Sequence, residues 1–368
     1  MKIPPSRTDR GIALIIVMTV LLMLSILAGG FAYSMKVETR LAQNQGHEDE
    51  MEWLARSGVE LARYVLSLQL SLSREPWDSL NQKWAGGVGV TNEALADITL
   101  ENNPLGNGIF SIKIIDQERK FNINAADIMI LQQAMTLLGV DAADSPTIVD
   151  SILDWRDPDD DPHLSGVESR FYQSLNPPYY AKDGPIDDIS ELLFINGITP
   201  ELYGGAGYDT NAFETPSMVG ATVVAGSVNN PMTIGGLGGA PSVAGGLKEL
   251  FCAISGPQVN INTASASVLQ LIPGIDPNVA QGILTFRAGP DGVEGNEDDI
   301  PFRQPQDLIN VPGVNRQFAG QLSRYFTVRS TTFEVLVETR LGSYKRYYAA
   351  MLKRVSARDV QILYFHPI

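Results

Sequence analysis

The hydrophobic pattern of the chain begins with residues 12–35, a run of 24 residues without one charged side chain. A helix rises about 1.5 Å per residue, so this run would form a helix of about 36 Å, enough to cross a bilayer core of about 30 Å. After it, apolar side chains recur at helical spacing, and the next proline is Pro76. The pattern predicts one helix over about 12–70, first apolar all round and then amphipathic.

Two separated segments have the alternating, β-branched pattern of strands, residues 97–116 and 325–365. Within the second, Leu341 to Ser343 are typical of a hairpin turn. The long region between these segments is helical in pattern, which indicates an inserted domain. We therefore predict an α+β fold: a long N-terminal helix against an antiparallel sheet, with a large α-helical domain inserted between the strands.

The inserted region contains an internal repeat, because residues 121–140 and 259–280 share an Asn-Ile-Asn-x-Ala opening followed by an apolar helix. Each copy continues with a second helix (148–157 or 279–289), an acidic proline-flanked loop and a short last helix. Four correspondences in the same order indicate a duplicated unit. Residues 204–246 hold 11 glycines and almost no charge, and are predicted to form a long flexible excursion, part of it a small hairpin.

Charge and cysteine content limit the functional classes. The formal net charge of −15 disfavours nucleic acid and anionic lipid as partners and favours cations and basic surfaces. Cys252 is the single cysteine, so no intrachain disulfide can form. Lys2, Arg7 and Arg10 precede the apolar run and predict a cytoplasmic N-terminus with the rest of the chain across the membrane.

The order of the leader and the apolar run is informative. An ordinary secretory signal is cleaved after its apolar region, whereas here the small residue Gly11 comes before that region. This order is typical of a prepilin and predicts cleavage between Gly11 and Ile12, which would leave the apolar helix on the mature protein. A plain uncleaved membrane anchor is the alternative interpretation.

These features together resemble the K-type minor pseudopilin family of the type II secretion system over essentially the whole chain. The residues that carry the resemblance are 10–14, 122–126, 152–162, 169–180, 189–199 and 260–265. The resemblance implies a pilin-like body and an inserted domain with two helix-hairpin-helix-like (SAM-like) repeats. The implied domains are a leader (1–11), a transmembrane and assembly helix (12–35), the first part of the pilin-like domain (36–117), the inserted domain (118–322, with repeats at about 118–203 and 256–322) and the C-terminal strands (323–368).

The function that the resemblance implies is structural and not enzymatic. Such a chain would cap the tip of the type II secretion pseudopilus and support its assembly and the export of folded proteins. The implied partners are the I-type and J-type minor pseudopilins, together with the major pseudopilin, the inner-membrane platform and the secretin. The implied location is the inner membrane, with a single span and the ectodomain in the periplasm. A prepilin peptidase would cleave the precursor and methylate Ile12.

Ile16 occupies the fifth mature position, where most pilins and pseudopilins carry a glutamate. In the general pilin model this carboxylate pairs with the N-terminal amine of a neighbouring subunit. A carboxylate in a bilayer is retained only where it has a partner, and a subunit with nothing above it has none. Ile16 therefore fits a tip position. The alternative interpretation is that Ile16 is simply one of the apolar residues of the membrane span.

Two acidic loops are the candidate calcium sites, and the K-type family is known to bind calcium in its helical domain. Counting from Asp157, carboxylates in the first loop fall at positions 1, 3, 5 and 12, a spacing of oxygen ligands that suits calcium. Pro162 stands where an EF-hand needs glycine, so the loop is not an EF-hand. The candidate ligands are Asp157, Asp159, Asp160, Asp161 and Glu168 in the first loop and Asp291, Glu294, Glu297, Asp298 and Asp299 in the second. Solvated acidic turns are the alternative.

Two rival functions are considered. Residues 259–286 resemble a DNA-binding helix-hairpin-helix of the competence type, but they contain no Lys or Arg and carry Asp276 where a phosphate would approach. An enzyme with an acidic metal site would need a convergent pocket, and no catalytic constellation is evident. The aromatic residues 171, 172, 179 and 180 are either a protein-binding face or packing that pins a loop.

Overall fold

The structure is a computed structural model that describes residues 9–72, 75–87, 93–208 and 245–368. Its α-helices are α1 (Asp9–Leu72), α2 (Glu93–Ala96), α3 (Ile128–Leu137), α4 (Ser145–Arg156), α5 (Ser169–Tyr172), α6 (Pro200–Gly204), α7 (Leu247–Leu250), α8 (Ala266–Leu269), α9 (Pro277–Arg287) and α10 (Arg316–Leu322). Its strands are β1 (Asn103–Leu105), β2 (Gly108–Asp116), β3 (Phe121–Asn122), β4 (Phe251–Cys252), β5 (Val259–Asn260), β6 (Phe326–Thr327), β7 (Thr332–Leu341), β8 (Tyr344–Ser356) and β9 (Asp359–Pro367). Short 3₁₀-helices form at Lys83–Ala85, Ile123–Ala125, Ile189–Phe194 and Pro305–Asn310.

Helix α1 confirms the long helix that the sequence predicts, and it contains 64 residues. Its first half is exposed on all sides, while the second half buries one face against the sheet through side chains such as Leu54, Val59 and Leu66. Gly58 permits this close approach, because a Cβ atom there would lie 2.8 Å from Val337 Cγ1. The helix and the sheet therefore form one packed layer with its own hydrophobic core.

The main sheet has the order β1-β2-β7-β8-β9, with every neighbouring pair antiparallel. Strands β7 and β8 are joined by the turn predicted at 341–343, where Gly342 has a φ of 58°, a backbone conformation that glycine adopts readily. The central strand β7 comes from the C-terminal part of the chain and β2 from the N-terminal part. The α+β fold class, with its antiparallel sheet, is confirmed.

The predicted strand limits are wrong at two places. Residues 97–102 are not a strand, because Asn102 has a φ of 54° and interrupts the extended backbone just before β1. Residues 325–331 are not part of the main sheet either. Strand β6 lies within that segment and pairs in parallel with β5, so the sheet resumes only at Thr332.

The sheet has two distinct ends. At one end, the β7–β8 turn lies beside α1 near the start of its packed half, where the rings of His47 and Tyr344 are 5.0 Å apart. At the other end, β2 ends at Asp116 and β7 begins at Thr332. The chain between those two residues forms the helical region. This region is therefore attached to the end of the sheet farther from the apolar half of α1.

A buried polar cluster joins the helical region to the sheet. Asp116 is 2% exposed. Its Oδ2 atom accepts hydrogen bonds from Thr263 Oγ1 (2.6 Å), Ser330 Oγ (2.7 Å) and Asn260 Nδ2 (3.1 Å). Burial and the neighbouring carboxylate of Glu118 raise the pKa of Asp116 to about 8, against the hydrogen bonds that lower it. These contacts fix the start of the second repeat against the ends of β2 and β7.

The two repeats have equivalent backbone supports. In the first copy, the side-chain amide of Asn124 donates to Ile186 O at 2.9 Å and accepts from Ile186 N at 2.8 Å. In the second copy, Asn262 makes the same pair of bonds with Phe302, at 3.0 and 2.8 Å. Arg156 in the first copy and Arg287 in the second both donate to a carbonyl of the Asn-Ile-Asn segment. The internal repeat is thus present as a duplicated set of contacts, and we call these bonds the repeat support.

The elements of each copy differ in detail from the predicted ones. The first helix of the second copy is the single turn α8, shorter than α3 in the first copy. The predicted last helix of each copy is a 3₁₀-helix followed by a short α-helix, α6 or α10. Parallel pairs β3–β4 and β5–β6, which the sequence does not reveal, close the region. Residues 209–244 of the predicted glycine-rich excursion, and residues 1–8 of the leader, lie outside the described residues.

Candidate metal centre

The first acidic loop begins at the end of α4, where Asp154 points inward and Asp157 caps the helix. Asp154 is fully buried. Its Oδ1 atom accepts a hydrogen bond from the backbone N–H of His163 at 3.0 Å and a second, shorter one from His163 Nδ1. Its Oδ2 atom is also buried and accepts no hydrogen bond from any described residue. Helix α4 therefore holds one carboxylate oxygen at this position without a protein donor.

Glu168 returns to the same place from the far end of the loop. The residue is 5% exposed, and neither carboxylate oxygen has a hydrogen-bond partner among the described residues. Burial, together with the carboxylates of Asp154 and Asp157, raises the pKa of Glu168 to about 7. Burial and the carboxylates of Asp159 and Asp154 also raise the pKa of Asp157, whose Oδ1 atom is buried without a donor in the described chain.

The backbone of the loop is shaped to admit these side chains. A Cβ atom at position 166 would lie 1.9 Å from Asp154 Oδ2, so only glycine fits beside that carboxylate. Asp183 approaches from the next segment with a left-handed φ of 49°. Burial and the carboxylates of Asp160 and Asp159 raise the pKa of Asp183. The cluster thus collects carboxylates from three separate stretches of the chain.

The donor set fits a hard divalent cation. Buried carboxylate oxygens without donors are costly unless a cation or proton accompanies them, and calcium is bound by oxygen ligands of this kind. Asp154, Asp157 and His163 each offer a ligand atom within 4.8 Å of the others. The hydrogen bond to Asp154 raises the pKa of His163, which favours its protonated form over a metal-ligating one. The fit is therefore better for calcium than for a nitrogen-preferring metal.

The predicted ligands of the first loop divide into two groups. Asp157 lies with Asp154 in one group of possible ligand atoms, and its carboxylate raises the pKa of Glu168, whereas Asp159, Asp160 and Asp161 are exposed. Asp159 Oδ1 accepts the backbone N–H of Asp161 at 3.1 Å. The sequence reasoning missed Asp154 and Asp183. Asp154 lies in the last turn of the predicted helix, three positions before Asp157, and a spacing of three residues near a helix end is a signal that could have found it.

The second loop is organised around an ion pair. Arg287 Nε donates to Glu294 Oε1, and both residues are buried. Asp299 Oδ2 accepts the backbone N–H of Gly295 at 2.8 Å, while its Oδ1 atom is buried and without a described donor. Burial and the carboxylate of Glu294 raise the pKa of Asp299 to about 6. One unsatisfied oxygen marks this loop, compared with several in the first.

The other predicted ligands of the second loop have local roles. Asp291 accepts the backbone N–H of Val293 at 2.7 Å and the side chain of Asn296 at 2.7 Å. Asp298 Oδ2 accepts the backbone N–H of Asp291 at 3.1 Å. Glu297 is exposed. Since Glu294 is paired with Arg287, Asp299 is the carboxylate here with an oxygen open to a cation.

The helix-hairpin-helix turn of the second copy is not arranged for phosphate. Gly274 has a φ of 90° and makes the turn, and Asp276 caps α9 by accepting the backbone N–H of Val279 at 2.8 Å. A carboxylate thus occupies the helix N-terminus where a phosphate would bind. The predicted cleavage position, Gly11–Ile12, lies within α1, which begins at Asp9. Within the described residues, one helix is long and apolar enough to cross a membrane, and that helix is α1.

Comparisons with known proteins agree with this architecture. A family model described as type II secretion system (T2SS), protein K matches residues 108–205, and a helix-hairpin-helix motif model matches residues 255–327. A type II secretion system protein K from Pseudomonas aeruginosa is 22% identical over 375 residues, which cover 97% of this chain and 92% of that protein. A putative type II secretion system protein K from Escherichia coli K12 is 26% identical over 211 residues, covering 53% of this chain and 60% of that protein.

The fold also has a solved counterpart. A chain of the GspK-GspI-GspJ complex from enterotoxigenic Escherichia coli superposes with a TM-score of 0.63 at 18% identity. The superposition covers 89% of this chain and 99% of that chain. The likeness therefore includes both the helix-and-sheet layer and the helical region between its strands.

Proposed function

We propose that this chain, a member of the type II secretion system protein K family, is a minor pseudopilin that caps the tip of the secretion pseudopilus. In that position it supports assembly of the pseudopilus and the export of folded proteins. The observation that carries the proposal is the similarity to the Pseudomonas aeruginosa protein across 97% of this chain. The similarity thus includes α1, the sheet and the inserted helical region together.

The shape of the chain supports a place at the tip. The apolar half of α1 lies at one end, and the helical region is attached to the opposite end of the sheet. A subunit added above this chain would collide with the helical region, which would block further growth of the pseudopilus at that end. Ile16 supports the same place, because a tip subunit has no neighbour above it whose N-terminal amine a glutamate would neutralise.

The proposed membrane topology rests on α1. We propose that the apolar half of α1 is a single span of the inner membrane and that the remaining residues lie in the periplasm. A prepilin peptidase would cleave after Gly11 and methylate Ile12. The exposed apolar face of α1 would then pass from lipid to the neighbouring helices of the pseudopilus.

The proposed partners are the I-type and J-type minor pseudopilins, because the similar Escherichia coli chain forms a GspK-GspI-GspJ complex. Contacts with the major pseudopilin, the inner-membrane platform and the secretin belong to the same proposal. DNA binding is not favoured, because Asp276 caps the helix that would receive a phosphate. No described cluster favours an enzymatic role over the structural one.

We further propose that calcium is bound on the first loop by Asp154, Asp157 and Glu168, and on the second loop by Asp299. When bound, calcium would neutralise carboxylates that are otherwise crowded and buried. Asp154 lies on α4 and Glu168 is the residue that precedes α5, so a cation bound to both would connect the two ends of the first loop. The ion therefore has a structural role in this proposal.

The tip position can be tested by electron microscopy. An epitope tag at the C-terminus is followed with gold-labelled antibody on pseudopili sheared from cells that overproduce the major pseudopilin. We expect gold at one end of each filament. Gold distributed along the filament, or none on filaments that assemble normally, would contradict a capping role.

Processing is tested separately by the intact mass and N-terminal sequence of the chain, expressed with and without a prepilin peptidase. We expect a mature chain that starts at Ile12 only when the peptidase is present. A Gly11→Leu substitution is the matched control, because a bulky side chain at this position should block cleavage and leave the apolar run unchanged. A precursor that keeps Met1 with the peptidase present would contradict the assignment to the pilin class.

A further inference from the structure

In each copy, one loop connects the arginine of the repeat support to the residue whose backbone pairs with the asparagine side chain. These two loops differ greatly in length. Residues 157–185 connect Arg156 to Ile186 in the first copy, a loop of 29 residues, whereas 288–301 connect Arg287 to Phe302 with only 14. Because the second copy completes the repeat support with half the length, the additional residues of the first loop are not needed to close it. They form α5 and the segment that leads to Tyr180.

The additional segment is braced by a row of aromatic rings. Trp155 on α4 contacts Tyr172 edge to face at 5.3 Å, and Tyr172 stacks on Tyr179 at 5.2 Å. Tyr179 contacts Phe194 at 6.0 Å and donates its hydroxyl to Phe194 O at 2.8 Å. The buried hydroxyl of Tyr172 accepts the backbone N–H of Asn196 at 3.2 Å. This brace fixes the segment to the 3₁₀-helix Ile189–Phe194.

Large apolar side chains that belong to this brace or adjoin it along the chain remain in contact with solvent. We call them the aromatic shoulder, and they are Phe171 (37% exposed), Leu175 (38%), Phe194 (56%) and Tyr180 (71%). Phe171 contacts Tyr172 at 5.4 Å, so the shoulder is continuous with the brace. Rigidly held aromatic side chains on a surface lose little conformational entropy when they bind, which is why such residues dominate protein interfaces.

The charge around the shoulder indicates the kind of partner. Residues 157–191 contain nine carboxylates but only two permanently basic side chains, Arg170 and Lys182. Lys182 is already engaged by Asp187 at 2.7 Å and Glu191 at 2.8 Å. Even with one calcium ion on the first loop, the surroundings of the shoulder remain strongly negative. A partner that places an apolar side chain on the shoulder gains affinity from basic residues around that side chain.

We propose that the aromatic shoulder is a docking surface for a protein segment that presents apolar side chains flanked by lysine or arginine. Phe171, Leu175 and Tyr180 of this surface come from the first loop, and Phe194 comes from the 3₁₀-helix that follows the repeat support. The acidic surroundings select the partner by charge, and the apolar side chains supply the contact area. This docking function goes beyond the proposed tip function. A tip subunit needs only its contacts with the I- and J-type pseudopilins and a helical region large enough to block a further subunit.

The proposal is tested with immobilised peptides of 12 residues. One peptide alternates leucine and arginine, a second replaces each leucine by serine, and a third replaces each arginine by glutamate. The full-length chain, in a neutral detergent with saturating calcium, is applied to all three. We expect binding to the leucine–arginine peptide to be at least about tenfold tighter than binding to either control, because both contributions are needed.

Shoulder variants identify the surface. Tyr180→Ser and Phe194→Ser should each weaken binding to the leucine–arginine peptide by about three- to tenfold, as expected for loss of one exposed aromatic contact. Ile309→Ser is the matched control, because Ile309 is an exposed apolar side chain in the 3₁₀-helix at the same place in the second copy. All chains carry the same α1, so any contribution of the detergent is equal among them.

Equal binding of the leucine–arginine peptide by the wild-type chain and both shoulder variants would overturn the proposal. A loss of binding in Ile309→Ser as large as in the shoulder variants would also overturn it. Tight binding to the peptide in which glutamate replaces arginine would overturn the inference that the partner segment is basic. Thermal unfolding of Tyr180→Ser, whose side chain is the most exposed of the four, controls for folding. Failure of this proposal leaves the gold-labelling result unaffected, so the two proposals are distinguishable.

Discussion

Asp154 and Glu168 lie where carboxylates are rarely tolerated, since both are buried and both have oxygens without a donor among the described residues. Removing ionised carboxylates from water costs several kcal/mol each, by order of magnitude, unless an opposite charge accompanies them. Arg156, two positions after Asp154, is turned toward the backbone carbonyls of Ile123 and Ala126, and Arg170, two positions after Glu168, is exposed. At the scale of single residues, His163 accompanies one oxygen of Asp154, whereas the other oxygen of Asp154 and both oxygens of Glu168 are left for the cation that we propose.

Replacing Glu168 by glutamine tests this conclusion. The amide keeps the shape of the side chain but removes one negative charge and turns one oxygen ligand into a donor. We expect calcium affinity, measured by isothermal titration calorimetry, to fall by at least about tenfold. Glu101→Gln is the control, because Glu101 is exposed and distant from the loop in sequence. An unchanged affinity in Glu168→Gln would rule out this carboxylate as a ligand.

Cys252 provides a second test at the residue scale. Its thiol is buried, with Ser255 Oγ at 3.1 Å. Burial raises its pKa to about 12. At pH 8 only about one thiol in ten thousand would then be the reactive thiolate. We expect no reaction with a disulfide reagent in the folded chain and one equivalent after unfolding in guanidinium. Rapid reaction of the native chain would contradict the buried position of this residue.

At the scale of elements, the two halves of the single helix α1 lie in different environments. Its first half is apolar on every side, and its second half packs on the sheet closely enough for glycine to be required. Gly46 and Gly58 lie on this one helix but differ in surroundings: a Cβ at position 46 would meet nothing within 4 Å, and one at 58 would meet Val337 and Ile112 at 2.8 and 2.9 Å.

This contrast predicts opposite effects of the same substitution. Gly46→Ala should stabilise the chain by up to about 1 kcal/mol, because alanine is the better helix former and the space is open. Gly58→Ala should destabilise it by about 1–3 kcal/mol, because the helix must move away from the sheet. Urea unfolding followed by tryptophan fluorescence measures both. If Gly58→Ala were as stable as Gly46→Ala, the packing of α1 on the sheet would be wrong.

The elements also show what sequence can and cannot predict. The apolar run, the hairpin at Gly342 and the Asn-Ile-Asn repeats were predicted because each depends on local sequence. The pairs β3–β4 and β5–β6 were missed, since strands of two residues have no periodicity and their partners lie far along the chain. Asp154 was missed because its burial depends on how α4 packs, whereas the exposed run of aspartates in the same loop was conspicuous.

At the scale of the whole molecule, the two hydrophobic cores are separate. One lies between α1 and the sheet, and the other lies within the helical region. The buried cluster around Asp116 joins them. A change in the helical region is therefore expected to affect the stability of the helix-and-sheet layer mainly through this junction. The two acidic loops lie in the helical region.

Removal of metal ions should accordingly destabilise the helical region. At a free calcium concentration 100 times the Kd, binding contributes about 2.7 kcal/mol to stability. A loss of that size lowers the Tm by about 5–10 °C for a domain of this size. We expect this decrease on adding excess EDTA, with recovery on adding calcium and little recovery with magnesium. An unchanged Tm in EDTA would count against a structural ion.

The order of the strands has a kinetic consequence for a chain that is synthesised from its N-terminus. The central strand β7 begins at Thr332, so the sheet onto which α1 packs does not exist until most of the last 37 residues have emerged. Until then the apolar face of α1 around Leu54 and Val59 has nothing to cover it. Folding of the helix-and-sheet layer therefore starts late and is dominated by contacts of large sequence separation. During that interval the amphipathic half of α1 is the surface that a chaperone would have to protect.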